Sequence, residues 1–157
     1  MMKIINGNRT GRGRGIKLVA YNKGNSFLQN YLEETESLVE KYRPDLLCLT
    51  EANLKKDIDK NLVSIKDYNL HTAPTMNNVN LNISRVVVYT NKNIIAKRRP
   101  DLENEEVSAI WLEVGPLRKP KILVASLYRE WQYMGQPYND SGTIQSQLAR
   151  WNLFLDN

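Results

Sequence analysis

Tyr42-Arg43-Pro44-Asp45-Leu46-Leu47-Cys48-Leu49-Thr50-Glu51 is the stretch that decides the fold. Pro44 cannot continue a helix, because it lacks an N–H and its ring clashes with the preceding turn. Asp45–Thr50 is an apolar run of strand length, the pattern of a strand buried on both faces. Upstream, Ser26 and Gln29 stand at capping-box spacing. Leu28, Tyr31, Leu32, Leu38, Val39 and Tyr42 follow at approximately helical intervals, with Glu33, Glu34 and Glu36 mostly opposite. This predicts a helix over roughly 27–42. Further upstream, Ile16–Tyr21 is short, apolar and partly β-branched, a second buried strand broken by Asn22-Lys23-Gly24-Asn25. Strand, helix and strand make one βαβ unit, whose two strands pair in parallel.

Downstream, 52–67 is polar and mixed, read as a loop with one short helix. The apolar period then changes to two. Strands are expected at Tyr68–Thr72, Ser84–Thr90, Val107–Val114 and Lys121–Tyr128. Asn91-Lys92-Asn93 is a tight turn into Ile94-Ile95-Ala96, and Gly115-Pro116 and Pro120 punctuate the last hairpin. Ile144, Leu148, Trp151 and Leu155 return to helical spacing. At the other end, residues 1–15 hold four glycines and three arginines with almost nothing apolar after Ile5. Such composition buries too little to offset its ordering entropy, so 1–15 is read as a disordered leader and 16–157 as the domain.

With 157 residues and 41% hydrophobic residues the chain can pack one domain core. No apolar run reaches spanning length, and the first residues have no apolar signal core, so neither a membrane partner nor secretion is expected. Cys48 is the single cysteine, so it has no internal disulfide partner and reads as a small core residue. A reducing, intracellular setting follows as the expectation. The net charge of +5 agrees with a phosphate-bearing partner but is a weak signal.

Chemistry is expected at strand ends. In open α/β sheets ligands gather beyond the carboxyl ends of the strands. The first strand delivers Asn22 there, the second Glu51, and a later strand Tyr128. A carboxylate beside a side-chain amide suits a hard divalent cation, and a phenol can donate to a phosphate oxygen. As residue types alone these are also an ordinary turn, a solvated carboxylate and a core aromatic.

The surrounding residues carry a resemblance. Ile16–Asn22 followed by Pro44-Asp45-Leu46-Leu47-Cys48-Leu49-Thr50-Glu51 resembles the opening of the endonuclease/exonuclease/phosphatase superfamily. Ser84–Tyr89 resembles its next core strand. Leu123–Tyr128 with Arg129 resembles the tyrosine-bearing strand in the form found in endonuclease domains of non-LTR retrotransposons. The resemblance implies the N-terminal part of a four-layer α/β sandwich, with a mixed sheet and flanking helices. It implies that Glu51 binds Mg2+ (or Mn2+), that Asn22 places the scissile phosphate or orders the water, and that Tyr128 hydrogen-bonds the phosphate. It also implies DNA as partner, nicking as activity, and a nuclear location for a retrotransposon enzyme. The family's later Gly-Asp-x-Asn and Ser-Asp-His motifs do not occur in these 157 residues, and His71, the single histidine, is read as structural. The expectation is therefore a truncated endonuclease, poorly active alone and prone to associate through uncovered apolar surface. Two other readings are an AP endonuclease or phosphatase of the same superfamily, and a non-catalytic basic fragment that binds nucleic acid by charge.

Overall fold

The computed structural model describes residues 2–6, 15–24, 28–55, 57–73, 83–103, 107–115 and 120–128. Among them, β1 (Met2–Asn6), β2 (Lys17–Asn22), β3 (Leu46–Lys55), β5 (Ile83–Asn91) and β4 (Tyr68–Thr72) form one sheet in the order β1-β2-β3-β5-β4. A second sheet runs β6 (Ala96–Arg98), β7 (Ser108–Val114), β8 (Ile122–Tyr128). Helix α1 (Leu28–Tyr42) links β2 to β3. β2 and β3 are parallel, in register from Leu18↔Leu46 to Asn22↔Thr50, as the βαβ reading requires. The other pairings are antiparallel.

The deciding stretch does its work through identifiable bonds. Arg43 takes a left-handed φ of 43° and its N–H donates to the Val39 carbonyl, ending α1 just before Pro44. Pro44 C=O accepts the Tyr68 hydroxyl at 2.7 Å. The Asp45 carboxylate accepts the Lys17 N–H at 2.7 Å, while the Asp45 N–H donates to the Lys17 carbonyl at 2.8 Å. This clasp fixes where β2 begins relative to β3, and so fixes which residues leave their far ends together.

Alternation then divides the core. Val19, Leu47, Leu49, Val87 and Tyr89 face α1, where Tyr31 joins their cluster and Leu32, Leu38, Val39 and Tyr42 pack against it. Leu46, Cys48, Val86 and Val88 face the other way, onto Ile110, Leu112 and Val114 of β7. The described residues thus stack as helix, sheet and sheet. The first sheet is covered on both faces, which is why its strands read as continuous apolar runs.

Three expectations are corrected. Met2–Asn6 is not leader: it pairs antiparallel with β2 from Met2↔Tyr21 to Asn6↔Lys17. An uncovered β2 edge offers a row of unpaired N–H and C=O groups, and the backbone of Met2–Asn6 satisfies them. Residues 7–14 lie outside the described residues, as does the expected helix around Ile144–Leu155. β3 does not stop at Thr50 but runs to Lys55, with a short 3₁₀ turn at Lys60–Val63 after it. Finally, β6 begins at Ala96, two residues beyond the expected start at Ile94, because the Ile94 N–H is still spent on the Asn91 carbonyl of the turn.

Candidate active site

The parallel pairing sets Asn22, at the carboxyl end of β2, directly beside Thr50, one residue before Glu51, where the β2–β3 pairing ends and β3 alone runs on to Lys55. Asn22 Oδ1 accepts the Gly24 N–H at 2.8 Å, closing an Asx turn in which Gly24 has φ +59°. Lys23 anchors this turn. Its N–H extends the ladder to the Thr50 carbonyl at 2.9 Å. Its side chain is fully buried, with Nζ 2.8 Å from Glu34 Oε2, 3.1 Å from the Tyr31 carbonyl and 4.4 Å from the Tyr31 ring centroid. A buried ammonium needs such an ion pair and hydrogen bonds to offset its desolvation. Lys23 thus ties the end of β2 to α1.

Glu51 stands where β3 is irregular. Pairing to β5 is regular through Thr50↔Val86 and resumes at Leu54↔Ser84. Glu51, Ala52 and Asn53 therefore face the single residue Arg85. Glu51 and Asn53 both adopt left-handed backbone, with φ 55° and 51°. Ala52 and Leu54 join the core under α1, as Leu47 and Leu49 do before the bulge. The inward positions of the strand thus move from odd to even numbers at Glu51. Left-handed conformation is costly for a side chain such as glutamate and persists only where the surroundings enforce it.

Tyr128 ends β8 on the other sheet, half-buried against the inter-sheet core. Its register partner Ser108 has a buried hydroxyl without a hydrogen-bond partner among the described residues. Arg85 connects Tyr128 to the bulge. Its Nη1 donates to Asn53 Oδ1 at 2.6 Å, and its Cζ lies 5.8 Å from the Tyr128 ring centroid. Asn22 and Glu51 are thus neighbours by register, and Tyr128 is related to them through Arg85 and Asn53.

Sequence reasoning passed over Arg85, Asn53 and Lys23. Arg85 had a signal: it interrupts Ile83-Ser84-Arg85-Val86-Val87-Val88, in a strand otherwise suited to burial. In the basic run Lys97-Arg98-Arg99, by contrast, two members are taken up by acidic side chains. Arg98 is paired with Glu103, and Arg99 with Asp101 and Glu113. His71 accepts or donates one hydrogen bond with Thr90 Oγ1 at 3.1 Å within the β4–β5 pair, and burial holds its pKa below the usual value.

Two solved structures share this arrangement of sheets. One is the endonuclease domain of TRAS1, a telomere-specific non-LTR retrotransposon, at TM-score 0.55 and 10% identity, covering 87% of this chain and 52% of that one. The other is the AP endonuclease LMAP from Leishmania major, at TM-score 0.61 and 19% identity, covering 89% and 47%. The chain has the endonuclease/exonuclease/phosphatase fold. It spans about half the length of these two structures. No family model and no curated protein sequence matches it. Within the endonuclease/exonuclease/phosphatase fold, Asn22, Glu51 and Arg85 come from the first sheet and Tyr128 from the second.

Among the described residues no three of His, Cys, Asp and Glu come together as a metal cage. A single carboxylate with a neighbouring amide fits an ion that keeps several waters and shares a substrate phosphate, which is how Mg2+ is commonly held. Among the described residues no helix is long and apolar enough to cross a membrane.

Proposed function

We propose that this chain carries the metal-and-phosphate part of a magnesium-dependent phosphodiesterase site that nicks DNA, of the retrotransposon-endonuclease kind. The observation that carries the reading is Glu51: a glutamate in left-handed backbone, one residue past the register partner of the strand-end Asn22, where the parallel β2–β3 pairing ends. Strain of that kind concentrates at functional sites, and this end of the sheet is where ligands gather.

Glu51 would hold Mg2+, which when bound neutralises charge on the phosphoryl and leaving oxygens. The Asn22 side-chain amide, whose oxygen is spent on Gly24, keeps its NH2 to donate toward a phosphate oxygen or the attacking water. The Tyr128 hydroxyl is the second donor to the phosphate. The water must also be aligned and deprotonated, and the superfamily resemblance assigns those tasks to Asp and His motifs that do not occur in these 157 residues. Groups of this kind act as a unit, so the chain by itself is expected to nick poorly.

Supercoiled plasmid with Mg2+ tests the reading, comparing this chain, a form extended through the Gly-Asp-x-Asn and Ser-Asp-His motifs, and Glu51→Gln in both. Nicking by the extended form that falls at least about 100-fold in Glu51→Gln is expected. Nicking indifferent to Glu51→Gln would sink the proposal. An oligonucleotide with one abasic site, run in parallel, separates an AP endonuclease from a nickase of intact DNA. Binding by charge alone is the weaker reading, since Arg98, Arg99 and Lys121 are engaged with acidic side chains. It would need no Mg2+ and would weaken steeply with salt.

A further inference from the structure

Arg85 occupies a position that the readings above leave without a role. It is the one β5 residue opposite the three-residue stretch Glu51-Ala52-Asn53, between the pairs Thr50↔Val86 and Leu54↔Ser84. Its Nη1 donates to Asn53 Oδ1 at 2.6 Å, and its Cζ lies over the Tyr128 ring, 5.8 Å from the centroid. One side chain thus touches the bulge of the first sheet and the last residue of β8 in the second. Asn53 is left-handed at φ 51°, two residues after Glu51 at φ 55°. Two such residues so close together need something to over-determine them. A bond from a half-buried cation to the Asn53 carboxamide oxygen does so.

We infer that Arg85 is a positioning residue of this site: it locks the left-handed bulge that aims Glu51, and fixes that bulge relative to Tyr128 across the gap between the sheets. The inference rests on the metal-and-phosphate reading and deepens it. A guanidinium presents donors in a fixed fork, so it can hold the Asn53 oxygen while its charge lies over the Tyr128 ring; a lysine in its place keeps the charge and loses the fork. Arg85 acts here like the outer partners that orient metal ligands elsewhere, whose loss weakens metal binding about 10- to 100-fold without removing any ligand.

Two measurements on the full chain, each on wild type, Arg85→Lys, Asn53→Gly and Glu51→Gln, decide the matter. The first is the Cα and Cβ chemical shifts of Glu51 in metal-free protein, with those of Leu47–Leu49 as the check on folding. The second is the affinity for Mn2+ alone, read by water-proton relaxation. Arg85→Lys should move the Glu51 shifts away from left-handed values, leave Leu47–Leu49 in place, and weaken Glu51-dependent Mn2+ binding about 10-fold. Asn53→Gly tolerates the left-handed backbone but removes the acceptor, so it should weaken binding similarly, and a protein carrying both Arg85→Lys and Asn53→Gly should lose little more. Wild-type shifts and wild-type Mn2+ affinity in Arg85→Lys would overturn the inference while leaving the role of Glu51 standing. Mn2+ binding unchanged by Glu51→Gln would instead overturn the metal reading, and with it the functional part of the inference.

Discussion

Cys48 shows how burial sets chemistry at a single position. The thiol lies between the two sheets, and desolvation pushes its pKa up to about 11, against the pull of a hydrogen bond with the Ser126 side chain. An acid whose pKa is raised by folding binds its proton more tightly in the native state. Its contribution to stability is full below the ordinary thiol value near 9 and is lost as pH rises through about 11. Urea unfolding should therefore show stability falling between those limits, by on the order of 2 kcal/mol from this group. Cys48→Ala should flatten the slope. Tyr89, pushed up to about 12 by burial, extends the decline further. The thiol should be inert to a disulfide reagent in the folded chain near neutral pH and react at once in denaturant. Lys23 is the opposite case, a charge kept in the interior by its partners. Glu34→Gln removes the carboxylate from its Nζ and should cost about 2 kcal/mol in the same assay.

At the scale of the element, β3 exchanges stability for geometry. A regular strand would carry its alternation straight through to Lys55. Instead it bends at Glu51 and Asn53, where the ladder to β5 breaks. Asparagine adopts left-handed backbone more readily than glutamate. Glu51→Asn should therefore raise stability by about 0.5 kcal/mol in thermal unfolding while abolishing Glu51-dependent Mn2+ binding. A drop in stability would mean that the Glu51 side chain supports the fold rather than a ligand. The helix that precedes β3 has no such conflict. Its apolar residues and its termination at Arg43-Pro44 all favour one answer.

For the molecule as a whole, the inter-sheet core holds Tyr128 in place relative to the bulge. Ile110 is fully buried on β7, among Val86, Val88 and Leu46 of the first sheet. Ile110→Ala should cost about 3 kcal/mol by denaturant unfolding, because the cavity forms between two sheets that cannot both relax into it. Leu62, mostly exposed in the 3₁₀ turn, is the control, and its change to alanine should fall within about 0.5 kcal/mol. Comparable losses at both positions would contradict the two-sheet packing.

Periodicity alone determined the βαβ opening, the strands from Tyr68 to Tyr128 and the burial of Cys48, because these depend on local apolar spacing that the residues carry with them. The same spacing put Asn22 and Glu51 at one end of a parallel pair. Tertiary structure alone decided three things. Met2–Asn6 became a strand because β2 offers it an edge, and that offer is invisible in the segment's own composition. Glu51 became strained because the β3–β5 ladder accommodates three residues opposite one, a property of the pairing rather than of either strand. Arg85 reached Asn53 and Tyr128, 32 and 43 positions away along the chain, because sheet order and sheet stacking brought three distant segments to one place. Side-chain contacts at such separations are set by register and packing, and no window of sequence contains them.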